Sequence, residues 1–150
     1  VRGITLEEKD EVVSLEILDQ EATLLTVSSQ GYGKRSSLEA YRVQSRGGKG
    51  ASTMRTTVKT GEVCGVRQVA EDDHLMLITN GGKIIRLRIA ELRVIGRNTQ
   101  GVKLFNIGAQ ERVSSLALVA EDEVQEESDT TGEGNGDGTL NSHPTEERQK

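Results

Sequence analysis

The sequence predicts an all-β chain: an array of small antiparallel sheets, about four strands to each, followed by a disordered acidic tail. Three observations predict it. Apolar residues gather in short β-branched runs rather than at helical spacing, the chain repeats with a period of 51 residues, and glycine-bearing turns recur at matching places in each copy. Sliding the chain by 51 residues sets 11–50 on 62–101 without a gap. Nine of those 40 pairs are identical, among them Gly31/Gly82, Arg35/Arg86, Arg42/Arg93, Val43/Val94, Arg46/Arg97 and Gly50/Gly101. Periods near 50 belong to propellers and related arrays, in which each unit needs neighbours to cover its faces. The expected units are 1–50, with Arg2-Gly3 as the end of an earlier unit, then 51–101, a partial unit 102–120, and a tail 121–150. Two and a half copies cannot close a ring, so strand edges are expected at both ends.

The elements follow in order. Val12–Leu18 and its copy Val63–Val69 are β-branched runs with partial alternation, and both are expected as strands. Thr23–Ser28 and His74–Thr79 come next. The turn Asn80-Gly81-Gly82 is a strong hairpin signal, expected to place both central residues at positive φ, and Ser29-Gln30-Gly31 is its counterpart. Return strands are expected at Tyr32–Ser37 and Lys83–Ile89. In the second, Ile84, Ile85, Leu87 and Ile89 interleave with Arg86 and Arg88, giving one buried face and one cationic face. Leu38–Tyr41 and Ile89–Leu92 are long enough for a single helical turn only. Ala51–Val58 and Val102–Ile107 supply a further strand in each copy.

Composition bounds the function. Apolar residues make up 33% and aromatics 2%, so Val, Leu and Ile must build the interior. No stretch approaches the roughly 18 apolar residues of a membrane span, and no signal peptide is visible. One cysteine, Cys64, cannot form an internal disulfide and fits a reducing compartment. The start Val1-Arg2-Gly3 points to a fragment of something larger, cytoplasmic and soluble.

Charge is strongly segregated. Residues 1–120 hold 17 Lys and Arg against 14 Asp and Glu, a net of +3, whereas 121–150 hold 2 against 10, a net of −8. Within the first part, 31–55 and 83–103 each carry six cations and one anion. Two separated basic segments are the footprint of a polyanion partner. The tail is either a polyanion competing for the same basic loops or a solubilising segment, and in both readings its composition favours disorder.

The segment that carries chemistry is Gln44-Ser45-Arg46-Gly47-Gly48-Lys49-Gly50. Arg46 and Lys49 can each donate to a phosphate. Gly47 and Gly48 let backbone N–H groups approach the same oxygens, and a solvated glycine turn is the plain alternative. The loop recurs 51 residues on, with Arg97 and Gln100. Lys34 and Arg35, and in the second copy Arg86 and Arg88, are the next candidate phosphate contacts. Other constellations are inert. His74 beside Asp72 and Asp73 lacks a convergent ligand set, Cys64 reads as a small buried hydrophobe, and Tyr32 and Tyr41 read as packing residues. Asn80-Gly81-Gly82-Lys83 lacks the spacing of a phosphate-binding loop of nucleotide enzymes. No catalytic residue, metal site or cofactor is expected in this stretch.

On these residues the chain resembles the C-terminal domain of the bacterial DNA gyrase A subunit. Residues 44–50 match that family's seven-residue box in six places, with Ser45 where the family has Arg. Gly31-Tyr32-Gly33-Lys34-Arg35 and Ile95-Gly96-Arg97-Asn98-Thr99-Gln100-Gly101-Val102 are also typical of its blades. The resemblance spans roughly 1–120 and implies the last blades of a β-pinwheel, a propeller-like disc whose blades exchange an outer strand. It implies duplex DNA wrapped around a basic rim through Lys34, Arg35, Gln44, Arg46, Gly47, Gly48, Lys49, Gly50, Arg86, Arg88, Arg97 and Gln100. It further implies a heterotetramer in which the parent gyrase A protein joins gyrase B, with ATP and Mg handled by other domains and the cleaving tyrosine elsewhere. The expected location is the bacterial cytoplasm, at the nucleoid and away from membranes. With no recognition helix and few aromatics, sequence specificity is expected to be weak and binding strongly salt-dependent. Two rival readings share the architecture: a topoisomerase IV C-terminal domain, and a propeller-type protein-interaction module.

Overall fold

The computed structural model describes residues 1–19 and 21–119, so the expectations for 121–150 lie outside the described residues. The described strands are β1 (Thr23–Ser28), β2 (Tyr32–Ser37), β3 (Val63–Val69), β4 (His74–Thr79), β5 (Ile84–Arg88), β6 (Val102–Lys103) and β7 (Val113–Val119). Two hairpins one period apart, β1–β2 and β4–β5, carry the architecture. In each, a three-residue loop closes through a backbone bond of 3.0 Å, from Gly31 N–H to the Ser28 carbonyl and from Gly82 N–H to that of Thr79. Only the last residue of each loop takes positive φ, Gly31 at 76° and Gly82 at 82°. The expectation that both central residues of Asn80-Gly81-Gly82 do so is corrected. The loop turns through two ordinary residues and a glycine bulge.

Each hairpin is completed by strands from later repeats. The first sheet runs β3-β1-β2-β6 and the second β5-β4-β7, antiparallel throughout. The two are built alike. β3 pairs along β1 with a register shift between Val27 and Ser28, and β7 pairs along β4 with the same shift between Ile78 and Thr79. The bulged residue plugs each kink with a polar atom: Cys64 Sγ lies 3.5 Å from the Val27 carbonyl, and Ser114 Oγ donates to the Ile78 carbonyl at 3.1 Å. Burial pushes the Cys64 thiol up to about 11, as suits a packing residue. The sheets therefore cut across the sequence units 1–50 and 51–101.

Leu25, Val27, Val69, Leu75, Leu77, Ile89 and Val113 form the core, with Leu87, Leu116 and Phe105 packed against it. β1 is buried on both faces. Its polar side, Thr26 and Ser28, lies under the 51–60 segment, where Ser28 Oγ donates to the Thr60 carbonyl at 2.7 Å. Leu38–Ala40 and Ile89–Glu91 are single 3-10 turns, as their lengths allow.

Three expected strands are reduced. Val12–Leu18 has no strand pairing, and Leu15 and Ile17 are about nine-tenths exposed. β3 and β7 each pair with a hairpin lying earlier in the chain, and shifting β1–β2 back one period leaves no residues in this sequence to pair with 12–18. The segment still lies beside β3, with Ser14 Oγ donating to the Val66 carbonyl at 3.0 Å and Glu16 bridging Arg67 at 2.5 Å. Ala51–Val58 holds only a bridge between Thr57 and Gly61, for the same reason, and Val102–Ile107 shrinks to β6.

The first strands of successive repeats meet at one small residue. A methyl built on Gly65 would overlap Leu116 of β7. Gly65→Val should therefore destabilise the chain by about 1–3 kcal/mol, as overpacked interiors do, and Leu116→Ala added to it should restore part of that loss. Chemical denaturation of the single and double variants measures both. A second device holds the tip of β4–β5. Glu111 accepts from Lys83 Nζ at 2.7 Å and from Gly108 N–H at 2.7 Å, which together hold its carboxyl below the ordinary 4.5. A depressed carboxylate stabilises the fold above its unfolded pKa and loses that contribution as pH falls through the folded value. Thermal melts should show the wild type losing stability below pH 4.5 more steeply than Glu111→Gln.

Candidate nucleic-acid interface

Two loops of matching sequence, 44–50 and 95–101, carry the candidate contacts, and backbone hydrogen bonds set the shape of each. In the first, Gly47 and Gly50 take φ of 76° and 81°. Gly47 N–H donates to the Gly3 carbonyl at 2.8 Å, Thr5 N–H to the Gly48 carbonyl at 2.9 Å, and Thr5 Oγ1 to the Gly47 carbonyl at 2.7 Å. Segment 2–5 thus ties down the loop's backbone and leaves its side chains outside. Gln44, Arg46 and Lys49 are exposed, and Gly3, Ile4 and the loop line a cleft of about 220 Å³. Arg46 has no side-chain partner among the described residues. Lys49 has only Glu7 at 3.7 Å, both side chains being largely in water, a pair worth little.

The second loop is held more firmly. Gly101 has φ of 75°, and a Cβ there would stand 2.5 Å from the Gly33 carbonyl, so only glycine fits. Ile95 N–H donates to the Arg35 carbonyl at 2.8 Å, and Ser36 Oγ donates to the Ile95 carbonyl at 2.9 Å. Lys34 Nζ donates to the Gly96 carbonyl at 2.7 Å and to that of Arg97. The two loops are joined through 51–55. The Arg55 N–H reaches the Thr99 carbonyl at 3.0 Å, matching Thr5 to Gly48 in the first loop, and Arg97 Nη1 reaches the Ser52 carbonyl at 2.7 Å. Segments 2–5, 44–50, 51–55 and 95–101 therefore form one continuous edge.

The expected contact residues divide on this edge. Lys34, at 1% exposure, and Arg35, at 6%, are inside the protein, which corrects their reading as surface contacts. Both faces of β2 are covered by later parts of the chain. Arg35 spends its guanidinium on the Ile89 carbonyl at 2.9 Å and on Glu71 at 2.6 Å, leaving Nε without a partner. Burial, and next the Arg97 charge, lowers the Lys34 pKa below 10.5. Arg86 and Arg88 are exposed but engaged, Arg86 Nε with His74 Nδ1 at 2.8 Å and Arg88 with Glu91 at 2.6 Å. Arg97 is half-buried, lying over the Tyr41 ring at 5.5 Å, and Gln100 is half-buried in the same loop. Gln44, Arg46, Gly47, Gly48, Lys49 and Gly50 stay together in the first loop.

Three cations of this region are absent from the residues that the sequence singles out. Arg42, Arg55 and Arg93 are exposed with no side-chain partner among the described residues. Arg42 and Arg93 are one of the identical pairs one period apart, and that identity is the signal for them.

Comparisons with known proteins agree with this architecture. The family model described as the DNA gyrase C-terminal domain, beta-propeller, matches residues 1–19, 22–69 and 73–120. The DNA gyrase A protein of Rickettsia prowazekii (strain Madrid E) is 47% identical over 119 residues, covering 79% of this chain and 13% of that protein. The DNA gyrase A protein of Staphylococcus aureus (strain NCTC 8325 / PS 47) is 42% identical over 144 residues, covering 93% of this chain and 16% of that protein. This chain thus spans less than a fifth of the length of these relatives. Among solved structures, a DNA gyrase A C-terminal domain superposes with a TM-score of 0.60 at 26% identity, covering 64% of this chain and 33% of that one. A C-terminal domain of DNA topoisomerase IV superposes with a TM-score of 0.74 over 86% of this chain and 43% of that one, and at 20% identity it speaks for the fold alone. The exchanged sheets, the paired loops and the extent of the match lead to one conclusion: the chain belongs to the DNA gyrase C-terminal β-propeller family.

Proposed function

We propose that this chain binds and wraps duplex DNA without sequence preference, as the end of a DNA gyrase A protein, and so supports ATP-dependent negative supercoiling by the parent enzyme. The observation that carries the reading is the bonded stretch running through 2–5, 44–50, 51–55 and 95–101, which carries Arg46, Lys49 and Arg55 exposed, with Arg42 and Arg93 exposed two residues ahead of the two loops. Cations spread along an edge suit a phosphate backbone, whereas base reading calls for an element that enters a groove. Wrapping needs several of them together, since bending 20–30 bp by 40–90° costs on the order of 1–6 kcal/mol. The box glycines let the backbone of 44–50 approach phosphate oxygens, with Arg46 and Lys49 supplying the fixed charge. The gyrase A names of relatives at 42% and 47% identity favour this reading over a topoisomerase IV domain.

In this reading the chain is not an enzyme alone. It presents a neighbouring DNA segment to a cleavage core whose tyrosine lies elsewhere in gyrase A, within a complex containing gyrase B in the bacterial cytoplasm. Among the described residues no helix is long and apolar enough to cross a membrane.

A salt titration of binding to random-sequence duplex tests the proposal. The wild type should lose affinity steeply with salt, and Arg46→Ala/Lys49→Ala should reduce the magnitude of the log–log slope by about two, one released counterion per lost contact. A protein-interaction module predicts little binding and no effect of the double change.

A further inference from the structure

Three consecutive residues of β2 grip three consecutive residues of the second loop. Lys34 takes the Gly96 and Arg97 carbonyls, Arg35 accepts from the Ile95 N–H through its own carbonyl, and Ser36 donates to the Ile95 carbonyl. All three gripping residues are at most 6% exposed. The loop therefore belongs mechanically to the preceding hairpin rather than to the repeat that encodes it.

A lysine is a costly choice for such a place, because a buried ammonium gives up its hydration. What requires it is the direction of the Gly96 and Arg97 carbonyls, which turn inward and need donors. One period further along, at the same place in the second hairpin, stands Ile85, and no loop docks there among the described residues. The charge goes with the docked loop.

We infer that Lys34 is a positioning residue for DNA binding: out of reach of the phosphates itself, it holds loop 95–101 in the conformation that presents the exposed part of Arg97, and Arg93 just ahead of the loop, to the duplex. The nearby Arg97 charge opposes the Lys34 ammonium, and an anion seated on the loop offsets that opposition, so the buried cation and the bound phosphate support each other. For its DNA arm the inference rests on the duplex-binding reading above.

The test uses the whole chain with Lys34→Met, and Ser36→Ala as a milder variant that removes only the bond to Ile95. Amide hydrogen exchange without DNA should speed up about tenfold or more across 95–101, while 44–50 is unchanged. On random-sequence duplex, Lys34→Met should weaken binding severalfold in the wild type and by the same factor in Arg46→Ala/Lys49→Ala. It should add little in Arg93→Ala/Arg97→Ala, where the cations it positions, in the loop and just ahead of it, are already gone. Equal losses in the two double-variant backgrounds would mean a general loss of fold and overturn the inference, as would unchanged exchange in 95–101. If Lys34→Met fails to fold, the Ser36→Ala results decide by the same criteria. If the wild type itself does not bind duplex, the duplex-binding reading fails, and the exchange result alone then decides whether Lys34 and Ser36 hold the loop.

Discussion

The structure depends on a shortage of hydrogen-bond partners. A two-stranded hairpin presents unpaired N–H and C=O groups along both outer edges, and such edges are unstable in water on their own. Here β1 is completed by β3 from the following repeat and β2 by β6 from the start of the one after, and β4 is completed by β7. Each sheet is thereby locked to the next stretch of chain, and the linking segments are forced around the outside. The basic loops lie in those linking segments.

The same constraint divides the cations by role. Where a linking segment crosses β2, the side chains beneath it are sealed in, and Lys34 and Arg35 become internal ties to backbone carbonyls and to Glu71. Where the segment itself turns outward, Arg46 and Lys49 keep their heads in water. Arg97 sits between these cases, one face over Tyr41 and one nitrogen on Ser52. The two loops are therefore unequal. The first has its fixed charge available, while the second has invested part of its charge in joining itself to 51–55.

Much of this is legible in the sequence. The limits of β1, β2, β3 and β4 follow from β-branched runs bounded by glycine turns, and both short 3-10 turns fall where the residues allow one turn and no more. Val12–Leu18 reads as a strand equally well, yet strand structure needs a partner, and local pattern does not reveal whether the chain contains one. Lys34 and Arg35 mislead for a related reason. Flanked by Gly33 and Ser36, they look solvated, and only the fold shows that both faces of β2 are covered. The repeat itself holds further information, since the identity of Arg42 and Arg93 marks a fixed outward position in both copies.

In the proposed reading, the loops act as fixed cationic points around which a double helix bends. The most direct measurement is topological: nicked circles are ligated with the chain bound, the protein is removed, and the topoisomers are resolved on a gel. Wrapping of one hand predicts a distribution displaced to one side of the protein-free control, further with more protein and less at high salt. A distribution centred on the control, under conditions where the duplex is bound, would contradict it.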